Sequence, residues 1–161
     1  KKKYLLNEDF AKINMKELVN TIGPKDLQEF KCETTASVWI ENAGEGKFKT
    51  HQLPLPAQFA PINAITAEDM DGDGHIDLLL GGNEYQIEAG AGRYDASFGQ
   101  FLRNNGKSGF TAIPAWQSGF IVEGELKGLQ FITTANKKQL ILAALNNDRL
   151  RCFTINRVKL K

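Results

Sequence analysis

The stretch Asp69 to Asp77, DMDGDGHID, puts carboxylates at its first, third, fifth and ninth positions: Asp69, Asp71, Asp73 and Asp77. Charges this close repel by roughly 1 kcal/mol per adjacent pair in water, and by about 4 kcal/mol where a loop is partly shielded. Water alone relieves that poorly in a folded loop, whereas a hard cation taking about six to eight oxygens removes it. Gly72 and Gly74 permit the left-handed backbone that curls a chain around an ion. At the seventh position His75 would offer its backbone carbonyl, with its imidazole pointing away. An all-oxygen protein cage suits calcium better than magnesium. The expected cofactor is therefore one Ca2+, held by Asp69, Asp71, Asp73, His75 and Asp77. The competing reading of the same residues is a solvated acidic turn.

An EF-hand shares the first half of this loop but requires a glutamate at the twelfth position and a helix on each side. Here the twelfth residue is Leu80, and only Ile76 to Leu80 separate the loop from Gly81-Gly82, too short for a helix. Pro61 precedes the loop. PINAITA and IDLLLGG are thus expected as buried strands joined by the acidic loop. The twelfth position excludes a dockerin as well.

Catalysis would need a nucleophile, a base and an anion site that converge. The chain has two histidines, His75 inside the acidic loop and His51 beside a turn. Glu123 and Glu125 form a carboxylate pair that alternates in the manner of a solvated strand face. The chain is therefore expected to be non-catalytic. A binding surface is expected instead on the long connection EYQIEAGAGRYDASF, which carries Tyr85, Arg93, Tyr94, Asp95 and Phe98. Binding residues concentrate on such connections, and tyrosine and arginine dominate interface hot spots. Against it stands a packing role, with the aromatics laid on the sheet and Arg93 paired to Asp95.

The elements that must position these residues fall into two parts. Residues 1–36 are expected to be a helical packing segment. Asn14-Met-Lys-Glu17 has the form of a capping box, and Leu18, Val19 and Ile22 give an apolar face. Gly23 would end that helix, PKDLQEF would start a second, and Asn7, Phe10 and Ile13 suit an earlier turn. From residue 37 onward, short apolar runs punctuated by glycine and asparagine indicate strands and turns.

The strand region repeats. ENAGEGKF at Glu41 to Phe48 matches RNNGKSGF at Arg103 to Phe110, with Asn42 and Asn104 separated by 62 positions. The same offset lays Asp77-Leu-Leu-Leu80 on Gln139-Leu-Ile-Leu142. It also turns Asp69, Asp71, Asp73 and Asp77 into Phe131, Thr133, Ala135 and Gln139, so a hairpin without metal is expected there. A third start is RCFTIN at Arg151 to Asn156, whose Asn156 follows Asn104 by 52 positions. The fold class expected is mainly β, with propeller-type blades: repeats over about 37–98 and 99–148 plus a terminal strand at 149–157.

DMDGDGHIDLLLGGN with the upstream IENAGEGKF resembles the FG-GAP/VCBS repeats of calcium-loop β-propellers. QFAPINAITAEDMDGDGHIDLLLGGN, GRYDASFGQFL and ALNNDRLRCF together resemble the C-terminal portion of large VCBS-repeat proteins of Bacteroidetes-like bacteria. The literal FG…GAP signature is absent, so the likeness rests on the loop and the N-x-G-x-G-x-F turn. It implies a loop joining neighbouring strands of a blade, the five ligands named above, and a secreted or surface setting. The function implied is a calcium-stabilised interaction module of an exported or cell-surface protein, binding protein or glycan. The second reading is a purely structural set of blades from a larger propeller. On either, the terminal strand would pair with blades of the parent chain, a second copy, or a strand within 30–42, and the isolated chain would self-associate or rearrange locally. Residues 1–36 would bridge from preceding blades.

Composition agrees with a globular domain: 161 residues, 42% hydrophobic and 24% charged, with a net charge of +1 that gives no reason to expect nucleic acid. No apolar run approaches the roughly 20 residues of a membrane span. The setting expected is extracellular, periplasmic or cell surface, with any signal segment outside this chain. Cys32 and Cys152 are expected as buried free thiols in preference to a single bridge.

Overall fold

The computed structural model of the chain describes residues 6–23, 27–88, 90, 92–107 and 109–156. The chain divides into two compact units, Lys1–Thr35 and Ala36–Lys161.

The first unit holds helices α1 (Asn7–Ala11) and α2 (Met15–Ile22). The start of α2 follows from its sequence. Glu17 N–H donates to Asn14 Oδ1 at 3.0 Å, and Asn14 N–H donates back to Glu17 Oε2 at 3.2 Å. Two amides with no partner inside the helix are thereby satisfied. Gly23, at φ 95°, closes α2 by donating to the Val19 carbonyl. The helix expected at PKDLQEF does not extend into Leu27–Phe30, and Pro24 to Asp26 lie outside the described residues. Leu27 and Phe30 are exposed, so no burial supports a helix too short to hold itself.

The second unit is mainly β, with three antiparallel sheets and no closed barrel among the described residues. The first sheet pairs β1 (Val38–Asn42) with β2 (Phe48–Gln52). The second is a meander of β3 (Ile62–Glu68), β4 (Asp77–Gly82), β5 (Gln100–Asn104) and β6 (Phe110–Ile113). The third orders β7 (Leu126–Thr133), β8 (Gln139–Leu145) and β9 (Arg151–Thr154). A short 3-10 helix at Leu55–Gln58 precedes β3, and α3 (Ala115–Ser118) precedes β7.

Strand pairing follows the internal repeat. Asn42 faces Phe48 across β1–β2, and Asn104 faces Phe110 across β5–β6. Both turns carry the same local bond, Gly44 N–H to Asn42 Oδ1 and Gly106 N–H to Asn104 Oδ1, each at 3.0 Å. Leu102 faces Leu78, and Thr154 faces Leu140, so β9 takes beside β8 the place that β5 takes beside β4. The repeat boundary at 98/99 falls between β4 and β5, inside the second sheet.

Alternation along β4 and β5 sends side chains to both faces of that sheet. Leu79 and Phe101 enter one core with Ala64, Met70, Phe120, Val122, Leu126, Ile141, Ala143 and Leu145. Leu80 and Leu102 enter the other with Leu53 and Ala57, flanked by Trp39, Leu78 and Phe110. The second sheet therefore sits between the other two. Leu80, the residue at the position where an EF-hand needs its glutamate, is 1% exposed in this core.

The terminal strand β9 pairs on its inner side with β8, in a register that packs the partly buried Phe153 against the same core as Ile141. Two expectations are corrected. Cys32 and Cys152 are free but exposed, Cys152 because it points outward from β9. His51 is no isolated residue beside a turn: it lies on β2, stacked on Trp39 at 4.2 Å between centroids and 2.8 Å from Glu41 Oε2.

Candidate metal centre

The acidic loop runs between β3 and β4, as their antiparallel pairing from Glu68–Asp77 onward requires. It is built by its own backbone. Gly72 and Gly74 stand at φ 80° and 91°, so their N–H groups turn inward and donate to Asp69 Oδ1 at 2.7 Å and Oδ2 at 3.1 Å. Asp73 N–H donates to Asp71 Oδ1 at 3.1 Å, and His75 N–H to Asp73 Oδ1 at 2.9 Å. Met70 turns the other way, 7% exposed in the core, and its N–H reaches Asp77 Oδ2 at 3.0 Å. The loop is thereby plugged into the sheet at its second residue.

Asp77 is fully buried at the start of β4 and takes a second backbone donor, Asn104 N–H, at 2.8 Å. Burial pushes its carboxyl above the ordinary carboxylate range, and the charges of Asp71 and Asp73 add to the rise. The two backbone donors oppose it. A buried carboxylate held beside like charges is a group that a bound cation would relieve.

Of the five residues expected as ligands, the carboxylates of Asp69, Asp71 and Asp77 converge, each offering an oxygen within 4.8 Å of the others. The Asp71 side chain is 7% exposed, and its Oδ2 is buried without an aligned hydrogen bond. Asp73 stands at the rim with its carboxyl below the ordinary range, held there by the His75 N–H and then by Arg103. The His75 ring rests against the β5–β6 turn, so near that a Cβ on Gly106 would lie 2.5 Å from Nε2.

Two contributors escape a reading of the loop alone. Arg103 on β5 places Nε 2.6 Å from Asp71 Oδ2 and Nη2 3.3 Å from Asp73 Oδ2. The first contact lies outside hydrogen-bond alignment and is an ion pair. Asn104 clamps the loop from the same strand, through its N–H on Asp77 and its Nδ2 on the Ile76 carbonyl at 3.0 Å. The only sequence signal for either is the repeat itself, which brings RNNG to the turn beside the loop. At the corresponding position, the hairpin β7–β8 turns through Thr134 to Lys138, closed by Thr134 N–H on the Lys138 carbonyl at 2.9 Å.

The long connection after β4 is anchored at its base. Asn83, 1% exposed and at φ 80°, donates to the Ser97 and Gly124 carbonyls and accepts from Ser97 N–H. Glu84 and Tyr94 exchange backbone hydrogen bonds at 2.9 and 3.0 Å. Arg93 lies over the Tyr85 ring, 5.0 Å from its centroid, and no ion pair joins it to Asp95 among the described residues. Tyr94 and Phe98 are half exposed, and Asp95 is exposed.

Beneath this connection Glu125 departs from the solvated face expected of the Glu123/Glu125 pair. It is 3% exposed, with Lys127 Nζ 2.8 Å from Oε1 and Asn146 Nδ2 donating to Oε2 at 2.6 Å. Lys127 reaches Glu84 Oε2 at 3.2 Å as well, which ties the connection to β7. The ammonium and then the amide hold the Glu125 carboxyl down at about 2. No helix among the described residues is long and apolar enough to cross a membrane.

No family model, no curated protein and no solved structure matches this chain.

Proposed function

We propose that the loop Asp69–Asp77 binds one calcium ion and that the chain is a calcium-stabilised, non-catalytic interaction module of an exported or cell-surface protein. The observation that carries the metal is the convergence of three carboxylates within 4.8 Å, with Asp77 fully buried and the Asp71 side chain 7% exposed. Asp69, Asp71 and Asp77 would supply the first oxygens. Asp73 and the His75 carbonyl complete the expected set, and an ion preferring about six to eight oxygens fits so oxygen-rich a loop. The ion would neutralise the loop and lock β3 to β4.

Support for an interaction role comes from the connection 84–98, whose Tyr94 and Phe98 are half exposed above an anchored base. A protein or glycan partner suits such a surface. The sheets are read here as propeller-type blades of the FG-GAP/VCBS kind, supported by the match between the repeat and the strand places of β5 and β9. The second reading, blades that only scaffold a larger parent, is favoured by the amount of hydrogen bonding that the connection spends on its own anchoring.

Titration calorimetry on the chelated protein should show about one calcium site, in the range of roughly 0.1–1 mM for an extracellular module. Asp71→Asn should remove it. Undiminished binding by that variant would end the assignment. Alanine at both Tyr94 and Phe98 should leave calcium binding and melting unchanged while removing partner capture, which separates the interaction role from the scaffold.

A further inference from the structure

We infer that Arg103 is a resident counter-cation of the acidic loop, which competes with the divalent ion for Asp71 and so sets how weakly that ion is held. This rests on the metal reading of the same loop. Arg103 belongs to β5, a different strand from those that carry the loop, and reaches across to two of its carboxylates, Asp71 and Asp73. Its backbone is fixed, because the next residue, Asn104, hydrogen-bonds both Asp77 and Ile76. The guanidinium can therefore swing, but its origin cannot move away.

The contacts define a competition. Asp71 Oδ1 is engaged by the Asp73 N–H, and Oδ2 faces Arg103 Nε at 2.6 Å out of hydrogen-bond alignment. A buried carboxylate oxygen without an aligned donor keeps its lone pairs for another acceptor of electrons, and the guanidinium charge supplies interim compensation. A divalent ion entering among Asp69, Asp71 and Asp77 meets a positive charge already seated on one of its ligands. Ion pairs in such partly shielded loops are strong enough to count against binding. The device has two effects. The loop keeps its shape without metal, because Arg103 offsets part of the repulsion, and the metal is released more readily. In the first repeat Glu41 occupies the same position, facing Lys49 in the strand register with its carboxylate 2.8 Å from His51 Nε2.

The test is calcium titration calorimetry on the chelated full chain as wild type, Arg103→Gln and Arg103→Lys, with melting followed in chelator and in calcium. Arg103→Gln should bind calcium at least tenfold more tightly, about 1.4 kcal/mol, and should melt lower than wild type in chelator. Arg103→Lys keeps the charge and should stay within about threefold of wild type, which separates loss of charge from loss of packing. Should Arg103→Gln not fold, Arg103→Met keeps the aliphatic stem and carries the same expected gain. Equal or weaker calcium binding by the neutral variants overturns the counter-cation and makes Arg103 a support for Asp71. Calcium heat in none of the proteins overturns the metal reading itself.

Discussion

At the scale of single residues, the acidic loop was legible because like charges at alternate positions demand an explanation wherever they fold. Its partners were not. Arg103 and Asn104 come from a strand about 30 positions on, and nothing within DMDGDGHID calls for them. Glu125 misled for a related reason: alternation with Glu123 suggests solvent, but Lys127 and Asn146 close over it only when β7 and β8 pair. Those two contacts have a pH consequence. The Glu125 carboxyl lies at about 2 in the folded protein against an ordinary 4.5, so its contribution is complete above the ordinary value and lost as pH falls from 4.5 towards 2. In chelator, the wild-type melting temperature should therefore fall more steeply than that of Glu125→Gln through this window, and the two curves should converge near its lower end. Parallel curves would show that the pair with Lys127 contributes nothing. Asp77, whose carboxyl is raised, acts in the opposite sense and equally in both proteins, so it cancels from the comparison.

At the scale of elements, the capping box of α2 was readable because its two partners sit three residues apart, within reach of any helix start. The pairing of PINAITA with IDLLLGG was readable because the intervening loop is short. No helix runs through Leu27–Phe30 of PKDLQEF, because a proline start and helical composition do not substitute for a buried face. At the end of β4, Gly82 answers a steric demand: a Cβ there would lie 1.8 Å from the Pro61 carbonyl oxygen. That oxygen is itself fixed, accepting from Asn83 N–H at 3.3 Å. Gly82→Ala should therefore destabilise the domain by about 3 kcal/mol or more in denaturant unfolding. Gly44→Ala, at φ 83° in an open turn, should cost only about 1–2 kcal/mol. Similar losses at the two glycines would mean that the strand opening β3–β4 yields more easily than its geometry implies.

At the scale of the whole molecule, the offsets of 62 and 52 lay Leu78 on Leu140 and Leu102 on Thr154, and the two pairs face each other in the same way across β4–β5 and β8–β9. The division of strands among sheets did not follow, because a repeat in sequence has no marked beginning. Nor did the partner of β9, which lies immediately before it in the chain. The outer edge of β9 carries no strand among the described residues, and Cys152 is exposed along it. Uncovered edges invite pairing, and a lysine on such an edge discourages it. The isolated chain should show concentration-dependent association by light scattering, reduced by Cys152→Lys under reducing conditions. A monodisperse monomer at every concentration would make the second unit a self-contained β domain.

The offset between repeat and sheet bears on the order in which the chain takes shape during synthesis. The second sheet needs β3 and β4 from one repeat and β5 and β6 from the next, with the connection 84–98 between them. As the chain leaves the ribosome, β3, the acidic loop and β4 emerge as a hairpin whose Asp77 has only Met70 to hold it. The Asn104 N–H and the Arg103 guanidinium arrive later. Until then the nascent loop is more strongly negative than it will be again. A cation captured in that interval would act as a temporary fastener for a half-finished sheet.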